Sequence, residues 1–263
     1  MFHFRLLGPM EITYGGKTLA LTAPKPRQTL ALLLLRVNRV VPLSSLIEEL
    51  WGEDPPASAV TTAQTYAYQL RKLLRRNRGE WHGVELDTKP PGYVLRIRDA
   101  QLDVDVFRRF AARGKELIER GDLEAGSEQL RKAVDLWQTA VPIPDVPQGP
   151  LLQAHLAALA EERMKALALR IQADFALGRH YDLIGELRGL VLANPLNEWL
   201  HARLIEALHA VGRRGEALAA CENLRRILCR ELGVDLSAEL RDLQRRILVG
   251  EPPEMRPCLL HAS

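Results

Sequence analysis

Residues 57–76 read ASAVTTAQTYAYQLRKLLRR, and their spacing decides the fold of the first hundred residues. Ala59, Ala63, Ala67, Leu70 and Leu74 recur at helical intervals along one side, which predicts a helix that buries that side. The opposite side presents Thr61, Thr65, Tyr68, Lys72 and Arg75 at steps of four, three, four and three, with Thr62, Gln64 and Arg71 flanking them. Hydroxyls and an amide near the start, followed by cations, suit a helix whose first turns enter the major groove of DNA while its end rests near phosphates. An ordinary solvated amphipathic helix carries a similar pattern, so the surrounding segments must decide between the two.

Working outward, a helix is predicted from about Pro26 through Leu30–Leu35 to about Asn38, and a second from Ser45, with Ser45 and Glu48 as a capping box, to Trp51-Gly52. Pro55-Pro56 then forces an extended link. At the N-terminus Phe2, Phe4 and Leu6 alternate with polar residues, and two short runs flank Gly15-Gly16, which predicts a small antiparallel sheet with a hairpin. Beyond the third helix, Val84 to Thr88 and Tyr93 to Ile97 flank the turn Lys89-Pro90-Pro91-Gly92, a second hairpin. Sheet, three helices and a closing hairpin form the order of a winged helix-turn-helix domain. Lys89 and Tyr93 on the hairpin, and Lys25 and Arg27 at the start of the first helix, join the candidate DNA contacts; the ring of Tyr93 has packing on the third helix as its other role.

From Asp103 onward the pattern is helical, over about 104–119, 122–137, 151–177, 181–193, 196–211, 214–231 and 238–248, with Gly121, Gly178, Gly212 and Gly233 where left-handed residues would end helices. Leu177-Gly178-Arg179-His180 and Val211-Gly212-Arg213-Arg214 lie 34 residues apart, the tetratricopeptide period, in which helix pairs stack to bury a shared apolar face. The Pro-rich segment Val141 to Pro150 reads as a surface loop of this second domain or as a boundary. The expected fold is therefore mostly α with a small β component. Residues 1–98 are expected to bind DNA and to fold alone, residues 103–250 to form an all-helical domain, and residues 251–263 to form a tail.

The formal net charge is +3, but residues 1–98 hold 14 Lys/Arg against 8 Asp/Glu, a net of +6, while the remainder holds 22 against 25, a net of −3. The basic part is the candidate for a polyanionic partner. No run approaches the length of a membrane span and no secretory pattern opens the chain, so a cytoplasmic, nucleoid-associated location is expected. Cys221, Cys229 and Cys258 form no metal or disulfide pattern, and the seven histidines lack ligand spacing; His201 and His209 can share a helix face, where core or surface roles outweigh metal binding. Phosphate-loop, dinucleotide, zinc-protease and serine-hydrolase motifs are absent, so neither a cofactor nor an enzymatic activity is expected. A helical scaffold or signalling adaptor, with an N-terminal domain that does not bind DNA, is the competing reading.

Phe4-Arg5-Leu6-Leu7-Gly8-Pro9, Pro42 to Gly52 and Thr61 to Leu74, together with Leu177 to Tyr181 and Glu231 to Leu240, resemble the antibiotic regulatory proteins of actinomycetes, the SARP family, over about residues 2–249. The resemblance implies an OmpR-like winged helix followed by a bacterial transcriptional activation domain. It further implies dimeric binding to direct repeats in promoter DNA, and recruitment of RNA polymerase to antibiotic or other secondary-metabolite genes. With no receiver domain ahead and no ATPase module after residue 250, the short form of the family is expected. Two places depart from the family pattern: Gln138-Thr139-Ala140 after Trp137, and Lys89-Pro90-Pro91 in the wing, where Arg-Gly is usual.

Overall fold

The alternation of Phe2, Phe4 and Leu6 produces β1 (Phe2–Arg5), whose two phenylalanines are buried and whose polar residues face out. β1 pairs antiparallel with β2 (Glu11–Tyr14), which turns through Gly15 and Gly16, both at positive φ, into β3 (Lys17–Thr18). The computed structural model describes residues 1–76, 83–98 and 100–252. The region expected to form the tail thus lies, from residue 253 on, outside the described residues, as does Cys258.

Three helices follow. α1 (Pro24–Leu35) starts two residues earlier than expected, on a proline in its first turn. It ends before Asn38, which takes a left-handed φ of 61° and receives Ile97 N–H on its side-chain oxygen while donating its own N–H to Leu95 O at 2.8 Å. That docking leads into a strand not read from the sequence, β4 (Val40–Pro42), and then into α2 (Leu43–Trp51). The expected capping box does not form. Pro42, at φ −58°, precedes the first turn, so Ser45 falls inside the helix and caps nothing. After Gly52 comes α3 (Ala59–Arg76), then the hairpin β5 (Val84–Lys89) and β6 (Gly92–Ile97). The second sheet has the order β4-β6-β5, with β5 at an edge. A Cβ on Gly92 would stand 1.9 Å from Val41 O, so the close approach of β6 to β4 requires glycine there.

A further unforeseen strand, β7 (Ala100–Leu102), runs parallel to β1 and completes a first sheet of order β3-β2-β1-β7. The helices after it are α4 (Asp103–Glu119), α5 (Leu123–Asp135), α6 (Pro150–Ala176), α7 (His180–Ala193), α8 (Glu198–Ala210), α9 (Arg214–Leu232) and α10 (Ala238–Val249). Division by compactness differs from the boundary expected at residues 98–103. One unit comprises Met1–Lys115 and Gln129–Leu167, the other Glu116–Glu128 and the chain from Ala168 onward.

Three carboxylates account for the extent of the first unit. Asp103 accepts Leu6 N–H and Leu7 N–H at 2.8 to 2.9 Å, Asp145 accepts Met10 N–H at 2.9 Å, and Glu49 accepts the amides of Gly149, Leu151 and Leu152 at 2.7 to 2.9 Å. Burial pushes the Asp103 carboxyl above its ordinary range, against the opposing pull of backbone amides and Arg5. Glu49, only 2% exposed, thus closes the first turn of α6 as a capping side chain would, and Gln28 donates to it from α1. The segment read as a loop of the second domain or as a boundary is instead built into this unit. Ile143 and Val146 are buried in it, and Ile143 N–H donates to Leu6 O and Gly8 O.

In the second unit Gly121, Gly178 and Gly212 take φ of 74° to 88° and end their helices as expected, with Gly233 doing the same for α9. The two repeats close alike: Arg179 N–H reaches Asp174 O at 2.9 Å and Arg213 N–H reaches Leu208 O at 2.8 Å, each six residues around a left-handed glycine. α7, α8 and α9 pack in succession through Leu183, Leu187, Leu204, Leu208, Cys221 and Leu224, and α10 closes on α8 and α9. Arg170, 2% exposed, is neutralised by Asp174 at 3.0 Å and Glu186 at 2.5 Å, while Ser127 donates to Asp174 at 2.6 Å. His201 is buried with Nε2 against Pro195 O, and His209 meets Glu251 O, so each imidazole has a structural partner.

Candidate nucleic-acid interface

α3 buries Ala59, Ala63, Ala67, Leu70 and Leu74 against α1 and α2, as its spacing predicts. Small alanines at its start let the helices approach closely, and leucines fill the space near β5. The remaining side is therefore left to solvent. Thr61, Gln64, Thr65, Tyr68, Lys72 and Arg75 are all exposed, and Thr62 is half-buried at the margin. Tyr68 is 62% exposed, a large ring with nothing of its own fold to cover it. Thr65 donates its hydroxyl to Thr61 O at 2.9 Å, which orients its methyl and leaves the oxygen lone pairs outward as acceptors.

Electrostatically this face has one sign. α3 contains Arg71, Lys72, Arg75 and Arg76 and no carboxylate. On the neighbouring hairpin Asp87 is paired with Arg96 at 2.9 Å, and Lys89 stands exposed at the tip. Pro91 O accepts Leu43 N–H at 3.1 Å, which attaches the base of the hairpin turn to the start of α2.

Other candidates have work elsewhere. Tyr93 is 8% exposed and lies in the core of the first unit, paired across the sheet with Val41 and Thr88. Lys25 donates Nζ to Leu50 O and stands 5.7 Å from the centre of the Trp51 ring. Arg27 donates to Leu21 O and Met10 O at 3.1 Å each and pairs with Asp145, so it braces the first unit. Arg71 is half-buried and turned toward β5. Conversely Gln69, exposed and four residues after Thr65, and Val60, 48% exposed beside Thr61, belong to the solvent side and were not among the residues read from the sequence. The signal was helical spacing, which places Gln69 one turn from both Thr65 and Lys72.

Among the described residues no helix is long and apolar enough to cross a membrane, and no group of three or more His, Cys, Asp or Glu is placed to hold a metal ion. Comparison with known proteins finds two family models in tandem. "Transcriptional regulatory protein, C terminal" matches residues 16–95, and "Bacterial transcriptional activator domain" matches residues 102–248. The regulatory protein DnrI of Streptomyces peucetius is 40% identical over 94% of this chain and 92% of its own length. The regulatory protein AfsR of Streptomyces coelicolor is 39% identical over 95% of this chain, which spans only 24% of that larger protein. A solved structure of Mycobacterium tuberculosis EmbR, in complex with a low affinity phosphopeptide, superposes with a TM-score of 0.85 at 32% identity, covering 97% of this chain and 66% of EmbR.

Proposed function

The chain belongs to the family of actinomycete antibiotic regulatory proteins, and on that premise we propose that it activates transcription of a secondary-metabolite gene cluster by sequence-specific binding to promoter DNA. The observation that carries the reading is the exposed, carboxylate-free face of α3, with hydroxyl and amide groups over its first turns and cations over its last. Thr61, Gln64 and Thr65 are at the end that enters the major groove and read base edges; Lys72 and Arg75 meet phosphates; Lys89 follows the backbone or minor groove from the hairpin tip. Two copies on direct repeats would double this footprint. The stacked helices of the second unit are then the surface that recruits RNA polymerase, since adjacent helix pairs present edges suited to a protein partner.

The test is fluorescence anisotropy of the full chain with promoter and scrambled duplexes at several salt concentrations. Thr65→Ala is expected to cost about 1 to 3 kcal/mol on the cognate site alone, whereas Lys72→Ala weakens all DNA alike and flattens the salt slope by roughly one unit. Leu70→Ala, a buried truncation costing about 2 to 5 kcal/mol of stability, is the control for loss through unfolding. Wild-type binding by both surface variants would refute the assignment of α3. No DNA binding by the wild-type chain would favour the adaptor reading.

A further inference from the structure

Arg71 is one of four cations on α3, yet its guanidinium is turned away from the face that the other exposed groups share. Its Nε donates to Leu86 O at 2.9 Å and its Nη2 donates to Thr88 Oγ1 at 3.0 Å. Both acceptors lie on β5, the edge strand of its sheet, and Thr88 is the residue before Lys89. The two donors belong to one edge of a planar fork, so together they fix a direction as well as a distance.

The apolar attachment of β5 explains why such a tie matters. Val84 and Leu86 are buried where β5 packs against α3, but from Asp87 onward the strand becomes progressively exposed, through Thr88 to Lys89. Where apolar packing stops, the Arg71 fork begins. We propose that Arg71 is a positioning residue for DNA binding and not a phosphate contact: it holds the outer half of the hairpin to α3, so that Lys89 and Lys72 reach one duplex together. The inference rests on the DNA-binding reading above, and it reassigns a residue that the sequence pattern groups with the contacts.

The consequences differ in kind from those of a direct contact. If Arg71 acts through the hairpin, Arg71→Ala and Lys89→Ala remove the same phosphate contact. Each alone is expected to weaken binding about three- to tenfold and to lower the salt slope by about one unit, and the double variant to do little more than either. Two independent phosphate contacts would instead multiply, with a slope lower by about two units. Arg71→Lys keeps the charge but lacks the fork, so it is expected to resemble Arg71→Ala; binding at the wild-type level would overturn the proposal.

The experiment measures these four variants and the wild type, as full chains, against a mixed-sequence duplex over a salt series. In parallel, backbone amide exchange is measured without DNA on wild type, Arg71→Ala and Thr88→Val. The expected result is faster exchange at residues 87–89 in both variants, with Leu30–Leu34 of α1 unchanged. Unchanged exchange at 87–89, or multiplicative losses in the double variant, would overturn the proposal. Absence of DNA binding by the wild-type chain strikes the proposed function, whereas the exchange comparison still tests the tie itself.

Discussion

Glu49→Ala tests whether the helix-turn-helix and the segment 143–152 form one structure. The carboxylate accepts Gly149 N–H at 2.7 Å and the N–H groups of Leu151 and Leu152 at 2.9 Å each, and is 2% exposed. Losing the cap-like acceptor of α6 costs about 1 to 2 kcal/mol, and leaving Gly149 N–H unpaired in its half-buried position adds about 1 to 2 kcal/mol. Gln28 Nε2 keeps a second acceptor, Glu49 O at 2.7 Å, so it adds little. The sum is about 3 kcal/mol, or roughly 6 to 12 °C in the melting temperature of the first unit. Glu48→Ala, at the adjacent exposed position, is the control and should stay within about 0.5 kcal/mol of wild type. Calorimetry beside chemical denaturation reads both variants. Glu49→Ala melting with Glu48→Ala would show that the acceptor is dispensable and that the two segments are not joined as described.

Four further outcomes follow from the same structure. Gly149→Ala would place a Cβ 2.0 Å from Glu49 O, so it is expected to destabilise the first unit at least as much as Glu49→Ala, and a neutral effect in the same melts would be the contrary result. The fragment 1–98, expected from sequence to fold alone, lacks Asp103, Asp145 and Ile143; it is now expected to show weak amide protection at Leu6 and Leu7, where full protection would contradict the role of Asp103. Burial lowers the pKa of His155, His180 and His201 below the ordinary imidazole value of 6.5, and for His155 the charges of Arg36 and Arg108 add to it. The stability they contribute is complete above that value and is lost as pH falls from it through the depressed values, so melting temperature should drop as pH is lowered below about 6.5. Burial also pushes the Cys221 thiol up to about 11, whereas Cys229 is exposed; iodoacetamide followed by peptide mass spectrometry should modify Cys229 and spare Cys221.

What could be read from the sequence was whatever local periodicity determines. α3 has five apolar residues on one side and polar groups on the other, and its buried side matched in full. The left-handed glycines at 178 and 212 were equally legible, because each must end a helix regardless of its neighbours. β4 and β7 were not, since three-residue strands carry no periodicity and exist through pairing with β6 and β1. Ser45 and Glu48 matched a local capping pattern that Pro42 displaced by starting the helix earlier. In the candidate site, exposure of Thr65 or Lys72 followed from the helix alone, but the partners of Lys25, Arg27 and Arg71 are acceptors distant in sequence that composition does not reveal.

The carboxylate-to-amide ties also set an order of events during synthesis. Leu6 N–H waits for Asp103, 97 residues later; Leu152 N–H meets Glu49 across 103 residues; Met10 N–H waits for Asp145, 135 residues on. At about 5 to 20 residues per second, a ribosome leaves the finished N-terminal strand without these partners for roughly 5 to 30 seconds. Through that interval the nascent segment can form α3 but cannot complete the sheet and amide contacts that frame it. The face of α3 proposed to bind DNA is therefore framed only after the chain through Leu152 has been made.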